Sequence, residues 1–139
     1  MIKIYLASPY YHHDPRVRSD RVELASMTAA RLMEQGFVVY SPITHGHNLA
    51  DHLLPANAHS HDFWMRQSIA MLQACDRLCV LPTPGWQESK GLREELQCAE
   101  FSAMPVYVVK QSSSDFSVEV WQELTDVAVL LSQLKAPTK

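Results

Sequence analysis

Two adjacent glutamates, Glu94 and Glu95, stand in the stretch GWQESKGLREELQCAEF over residues 85–101. A helix over 91–102 turns about 100° per residue, so neighbouring side chains meet different surroundings. Leu92, Leu96, Ala99 and Ala103, at spacings of 4, 3 and 4, form one apolar stripe that faces the core. Glu94 falls on the far side as a solvated carboxylate. Glu95, three residues after Leu92 and four before Ala99, falls on the edge of the stripe. A carboxylate there is partly desolvated and needs a partner, such as Arg66, or a chemical purpose. Its side chain leans back toward the start of the helix. The other chemistry-bearing residues are the seven histidines, six of which fall in two segments: His12, His13, His45, His47, His52 and His59. "HGH" and "HSH" suggest metal ligation, but i,i+2 pairs in loops without an H-E-x-x-H motif do not specify it, and no metal is expected. Trp86 is a candidate for stacking on a base, while Trp64 reads as a packing residue.

Four short apolar runs supply the frame for these residues: KIYLAS (3–8), FVVYSP (37–42), RLCVLP (77–82) and PVYVVK (105–110). They alternate poorly, as strands buried on both faces do. Val22, Ala25, Ala29 and Leu32 mark a helix over about 16–35, and Gly36 is placed to end it. A histidine-rich loop and a helix from about His61 to Ala74 follow the second strand. A serine run at 112–114 leads into a last helix over about 116–134. Alternating strands and helices predict an α/β fold: one three-layer, doubly wound, Rossmann-like domain over 1–139 with a mainly parallel sheet of four to five strands. Ligands of such sheets bind beyond the carboxyl ends of the strands. That places ASPYYHHD, SPITHGHN and PTPGWQES at one edge.

With 47% apolar and 19% charged residues in 139, the chain is a globular domain with a real core. A formal charge of −3 argues against a nucleic-acid polymer as partner, while leaving room for a local phosphate site. No apolar run reaches the roughly 18 residues of a membrane span. MIKIYLAS enters a strand without a charged leader, so a cytoplasmic location is expected. Cys75, Cys79 and Cys98 read as reduced, buried thiols.

The string Ser89-x-Gly91-x-x-x-Glu95-Leu96-x-x-Ala99 resembles the signature of the nucleoside 2-deoxyribosyltransferase superfamily, which includes nucleoside 5′-monophosphate N-glycosidases. IYLASPY (4–10) is similar to that superfamily's first strand and turn, and CDRLCVLP (75–82) to the strand before the signature. GWQES and SPITHGHNLA (41–50) look closer to a branch of small, largely uncharacterised bacterial proteins within it. The similarity runs over about residues 2–110. It implies an enzyme that cleaves or transfers the N-glycosidic bond of a nucleoside or (deoxy)nucleoside 5′-monophosphate, without cofactor or metal. Covalent catalysis by a glutamate, matched here by Glu95, splits the cleavage into two displacements through a glycosyl ester. A first-strand tyrosine, matched by Tyr5, holds the nucleophile. Ser89 matches a serine that contacts the 5′-phosphate. Gly91 and Ser8 stand beside it, where amides at a helix start favour an anion; Ser89 is equally an ordinary N-cap. Arg16, Arg18 and Arg21 are phosphate partners or members of a solvated helix face. His45 matches a histidine of the small-protein branch that contacts substrate. The resemblance also implies a homodimer or larger assembly, for which Val118, Trp121, Val129 and Leu131 of the last helix offer apolar surface. One departure stands out. Ser68 replaces an aspartate that assists at the leaving base or ribose, so another proton donor is needed, with Asp62 and the loop histidines as candidates. The alternative reading is a non-catalytic nucleotide-binding module of the same fold.

Overall fold

The computed structural model describes residues 1–114 and 117–135. Its strands are β1 (Lys3–Ala7), β2 (Val38–Tyr40), β3 (Arg77–Val80), β4 (Val106–Ser114) and β5 (Ser117–Thr125). They form one sheet in the order β2-β1-β3-β4-β5, with the first four parallel and β5 antiparallel to β4. The helices are α1 (Pro15–Glu34), α2 (Pro42–Leu49), α3 (Pro55–Ala58), α4 (His61–Gln73), α5 (Lys90–Phe101) and α6 (Val127–Gln133).

Alternation along the strands divides the core between two faces. Ile4, Leu6, Cys79, Leu81, Val109 and Val120 turn toward Ala25 and Leu32 of α1 and Ile43 of α2. Tyr5, Ala7, Leu78, Val80, Val106 and Val108 turn toward Leu72 of α4, Leu92, Leu96 and Ala99 of α5, and Leu130 of α6. The result is the expected three-layer α/β domain. Asp14 caps α1 with Pro15 at its first position, and Gly36, at φ +100°, follows its C-cap Gln35 where a left-handed backbone turns the chain into β2.

Two expectations are corrected. The chain over 106–125 is an antiparallel hairpin, not the approach to a helix starting near 116. The serine run extends β4, and helix forms only over Val127–Gln133. Val118 and Val120 pack inward on the α1 side while Glu119 and Trp121 point away, the period-two pattern of a strand covered on one face. Val118 and Trp121 therefore lie on β5, and only Val129 and Leu131 on a helix; residue 116, the expected helix start, lies outside the described residues. The histidine-rich segment is also more regular than a loop. Ser41 caps α2 with Pro42 at its first position, and Pro55 opens α3 in the same way.

Candidate functional site

Helix α5 begins where the Ser89 hydroxyl accepts the Leu92 amide at 3.1 Å. Leu92, Leu96 and Ala99 are wholly buried, and their packing carries Glu95 inside with them. Glu95 is only 4% exposed. Its partner is not Arg66, which is exposed, but Tyr5. The phenol donates a hydrogen bond to Glu95 Oε2 across 90 residues of sequence. Tyr5 reaches it because β1 alternation turns Tyr5, unlike Ile4 and Leu6, to the α4–α5 side. The Ser68 hydroxyl, on α4, stands beside the same phenol.

Burial pushes the Glu95 carboxyl up to about 8; the Tyr5 hydrogen bond opposes this and the charge of Glu94 adds to it. About a tenth of it is then ionised at pH 7. Tyr5 is raised by burial and then by the charge of Glu95, so it serves as a neutral donor throughout the physiological range. The Tyr40 ring lies 5.8 Å from that of Tyr5, and the ring of His45 lies 5.6 Å from Tyr40. His45 is exposed and is linked to the pair through this aromatic step.

Sheet order places β1 beside β3, with the chain leaving β1 for β2 on one side and reaching β3 on the other. Such a switch point opens a crevice at the carboxyl edge. Leu81 N donates to Ala7 O there at 2.8 Å, bringing the two strand ends together. Just beyond them, Ser8 (5% exposed) and Thr83 (4% exposed) are buried, and their hydroxyls and Arg21 Nε lack a partner among the described residues. An unpaired buried polar group costs about 1–3 kcal/mol, so these three are groups that a polar ligand or an ordered water would satisfy. Arg21 also ties the two loops together: Nη1 donates to Tyr11 O at 2.8 Å and Nη2 to Pro84 O at 3.1 Å. Arg16 instead pairs with Asp14 at 3.4 Å, and Arg18 donates to the His12 carbonyl at 2.5 Å. A Cβ on Gly91 would stand 3.7 Å from Met65 Sδ, an ordinary contact, so packing alone does not demand glycine there. Trp86 is half-buried against the α4–α5 core. Trp64 packs over Gly46 and donates to Ala58 O at 2.8 Å.

Glu94 departs from the expectation of a carboxylate turned only to solvent. Its Oε1 lies 3.0 Å from His61 Nε2 at the start of α4. Thr83, a threonine in a Pro-rich turn, is a residue of this region that the sequence does not single out; His61 is the last histidine of HSH, which the sequence suggests only as a metal ligand and not as a partner of Glu94. Asp62 is exposed; among the other histidines, His47 Nδ1 bonds Tyr10 Oη at 2.7 Å, and His12 stacks on His13 at 4.3 Å. Among the described residues no group of three or more His, Cys, Asp or Glu could hold a metal ion. The thiols are free, and burial pushes Cys79 up to about 12, which suits packing and not reactivity.

Two open clefts of about 490 Å³ lie elsewhere, one between the end of α5 and the β5–α6 turn, the other where α1 ends beside β5. Neither touches Tyr5 or Glu95. A burial-perturbed carboxyl with a dedicated donor is a stronger chemical signal than open volume. No helix among the described residues is long and apolar enough to cross a membrane. Comparison with curated proteins finds no match. Residues 2–111 match the family described as Domain of unknown function (DUF1937), and the chain belongs to that family.

Proposed function

We propose that the protein is an N-glycosidase or deoxyribosyltransferase acting on a nucleoside 5′-monophosphate or nucleoside, with Glu95 as nucleophile. The observation that carries this reading is the buried Tyr5–Glu95 hydrogen bond, made between the residue that the resemblance matches to the nucleophile and the one it matches to the first-strand tyrosine that holds it. Tyr5 occupies Oε2, which orients the carboxyl and leaves Oε1 to attack the anomeric carbon. Attack forms the C1′–O ester as the C1′–N bond breaks, and the bonding pair leaves with the base. Water or a second base then takes the sugar from Glu95. Ser8, Thr83, Arg21 and the amides at the start of α5 supply the polar cradle for the phosphate or sugar hydroxyls; Ser89, Gly91, Trp86 and His45 border it. The reaction so written needs no cofactor.

This activity belongs to the cytoplasm, where nucleotides are abundant. Trp121, Leu124 and Val129, respectively 43%, 69% and 49% exposed, support assembly of a homodimer or larger oligomer; light scattering over a concentration series reads it directly. For activity, the protein is incubated with a panel of (deoxy)nucleoside 5′-monophosphates and nucleosides, and free base is followed by chromatography. Base release that falls to background in Glu95→Ala is the expected result. No release with any substrate, or equal release by Glu95→Ala, refutes the mechanism.

A second reading has its own support. Ser68 beside Tyr5 cannot act as an acid near neutral pH, and a carboxyl mostly protonated at pH 7 is a poor nucleophile. A nucleotide-binding module without turnover fits both facts. Calorimetry that finds nucleotide affinity without base release favours it.

A further inference from the structure

We propose that His61, oriented by Glu94, is the proton donor to the departing base, in place of the acid that Ser68 does not supply. The inference rests on the glycosidase reading and extends it.

The geometry comes from one face of α4. His61, Met65 and Ser68, at spacings of 4 and 3, share a face of that helix, and each meets an element of the site. Ser68 stands beside the Tyr5 phenol. Met65 Sδ faces Gly91 of α5. His61 Nε2 lies 3.0 Å from Glu94 Oε1, on the residue next to the buried nucleophile. Seven residues of helix rise about 10 Å, so the seam runs from the buried Tyr5–Glu95 pair to His61 at the first position of α4. A base leaving Glu95 along this seam departs toward His61. The pair with Glu94 fixes the ring: a carboxylate that accepts from Nε2–H leaves Nδ1 as the nitrogen free to give and take a proton. Both side chains are about one-third exposed, so the ring is held while remaining within reach of solvent protons.

The step balances. As Glu95 Oε1 bonds to C1′, the C1′–N pair moves onto the base, and imidazolium Nδ1–H protonates a ring nitrogen of that base. In the second displacement the neutral imidazole removes a proton from the attacking water, the C1′–O ester bond breaks, and Glu95 regains its carboxylate.

The test compares guanosine 5′-monophosphate with N7-methylguanosine 5′-monophosphate, and their 2′-deoxy forms, because an N7-methylated base leaves without needing a proton. Parent, His61→Asn, Glu94→Gln and Glu95→Ala are assayed for base release on both. A general acid contributes on the order of 10²–10⁴. His61→Asn is expected to lose about that factor on the unmethylated substrate and less than about threefold on the methylated one. Glu94→Gln should show the same selectivity with a smaller loss. Activity on the methylated nucleotide doubles as the folding control. Equal losses on both substrates, or none on either, overturn the role of His61. If the parent releases neither base, or Glu95→Ala releases methylated base as fast as the parent, the glycosidase reading itself fails and the inference falls with it.

Discussion

Replacing Glu95 by glutamine should shift stability progressively in the variant's favour, relative to the parent, as pH rises. Glu95 carries an unfolded-state value near 4.5 and a folded-state value of about 8, raised by burial. Between those two values the folded protein holds a proton that the unfolded chain has lost. The stabilisation associated with that proton is fully present below pH 4.5 and is lost as pH rises toward and through 8. At about 1.4 kcal/mol per pH unit, the accumulated loss is about 1 kcal/mol at pH 5, about 3 at pH 7 and about 5 at pH 9. Glutamine has no such proton to lose. Its Oε1 still accepts from Tyr5, and its amide hydrogens add a pH-independent offset of about 1–3 kcal/mol. That offset moves the whole difference curve without changing its slope. Groups common to both proteins cancel in the difference, and Tyr5, raised well above its ordinary range, does not titrate below pH 9. The measurement is urea unfolding of parent and Glu95→Gln at pH 5, 7 and 9, followed by tryptophan fluorescence and circular dichroism together as a check on two-state behaviour. A stability gap that widens by several kcal/mol from pH 5 to 9 is expected. A gap that stays flat refutes the reasoning, because it means that Glu95 titrates as an ordinary solvated carboxylate.

Removing the phenol with Tyr5→Phe takes away the hydrogen bond that holds the Glu95 carboxyl down. The rise of kcat/KM with pH on an N7-methylated nucleotide should then have its inflection above the parent's, which lies near 8; an unmoved inflection would count against the pair. Gly85→Ala puts a Cβ at φ +90° and 2.5 Å from Arg21 Nη2, so strain and displacement of Arg21 should cost about 1–3 kcal/mol in urea unfolding. Leu96→Ala opens a cavity in the fully buried α5 seam and should cost about 2–5 kcal/mol in the same experiment, with the pH dependence of the parent retained.

Much of this arrangement is legible from the chain alone, and the exceptions have physical causes. The first three strands and the opening half of β4 are short apolar runs punctuated by turn residues, so local pattern suffices for them. The phase of Leu92, Leu96 and Ala99 is enough to separate Glu95 from Glu94. The β5 strand is not legible in the same way. Val118, Trp121 and Val129 fit helical spacing as well as Val118 and Val120 fit a strand, and the choice depends on β4 offering its edge, which no local pattern records. Nor is the His61–Glu94 contact readable, since it depends on how α4 and α5 lie side by side. Partners 33 residues apart in the chain meet only through that packing.

The distribution of buried polar groups is itself an argument for where a ligand sits. Thr28 is wholly buried, yet its hydroxyl donates to Leu24 O at 2.8 Å and is met by the Gln111 amide. Ser41 is buried and accepts from the Thr44 amide. Folding alone evidently satisfies such groups in this protein. Ser8, Thr83 and Arg21 Nε are the buried side-chain groups left without a partner among the described residues, and all three lie on the segments that follow β1 and β3. If they were accidents of packing they would be scattered through both layers. Their gathering beyond the carboxyl ends of β1 and β3 marks this edge as the place where a polar ligand or ordered water would satisfy them. A polar ligand with an anionic or hydroxyl-rich end does so, and substituting Ser8 or Thr83 by alanine should weaken nucleotide binding in calorimetry while leaving the folded protein as stable as before or more so.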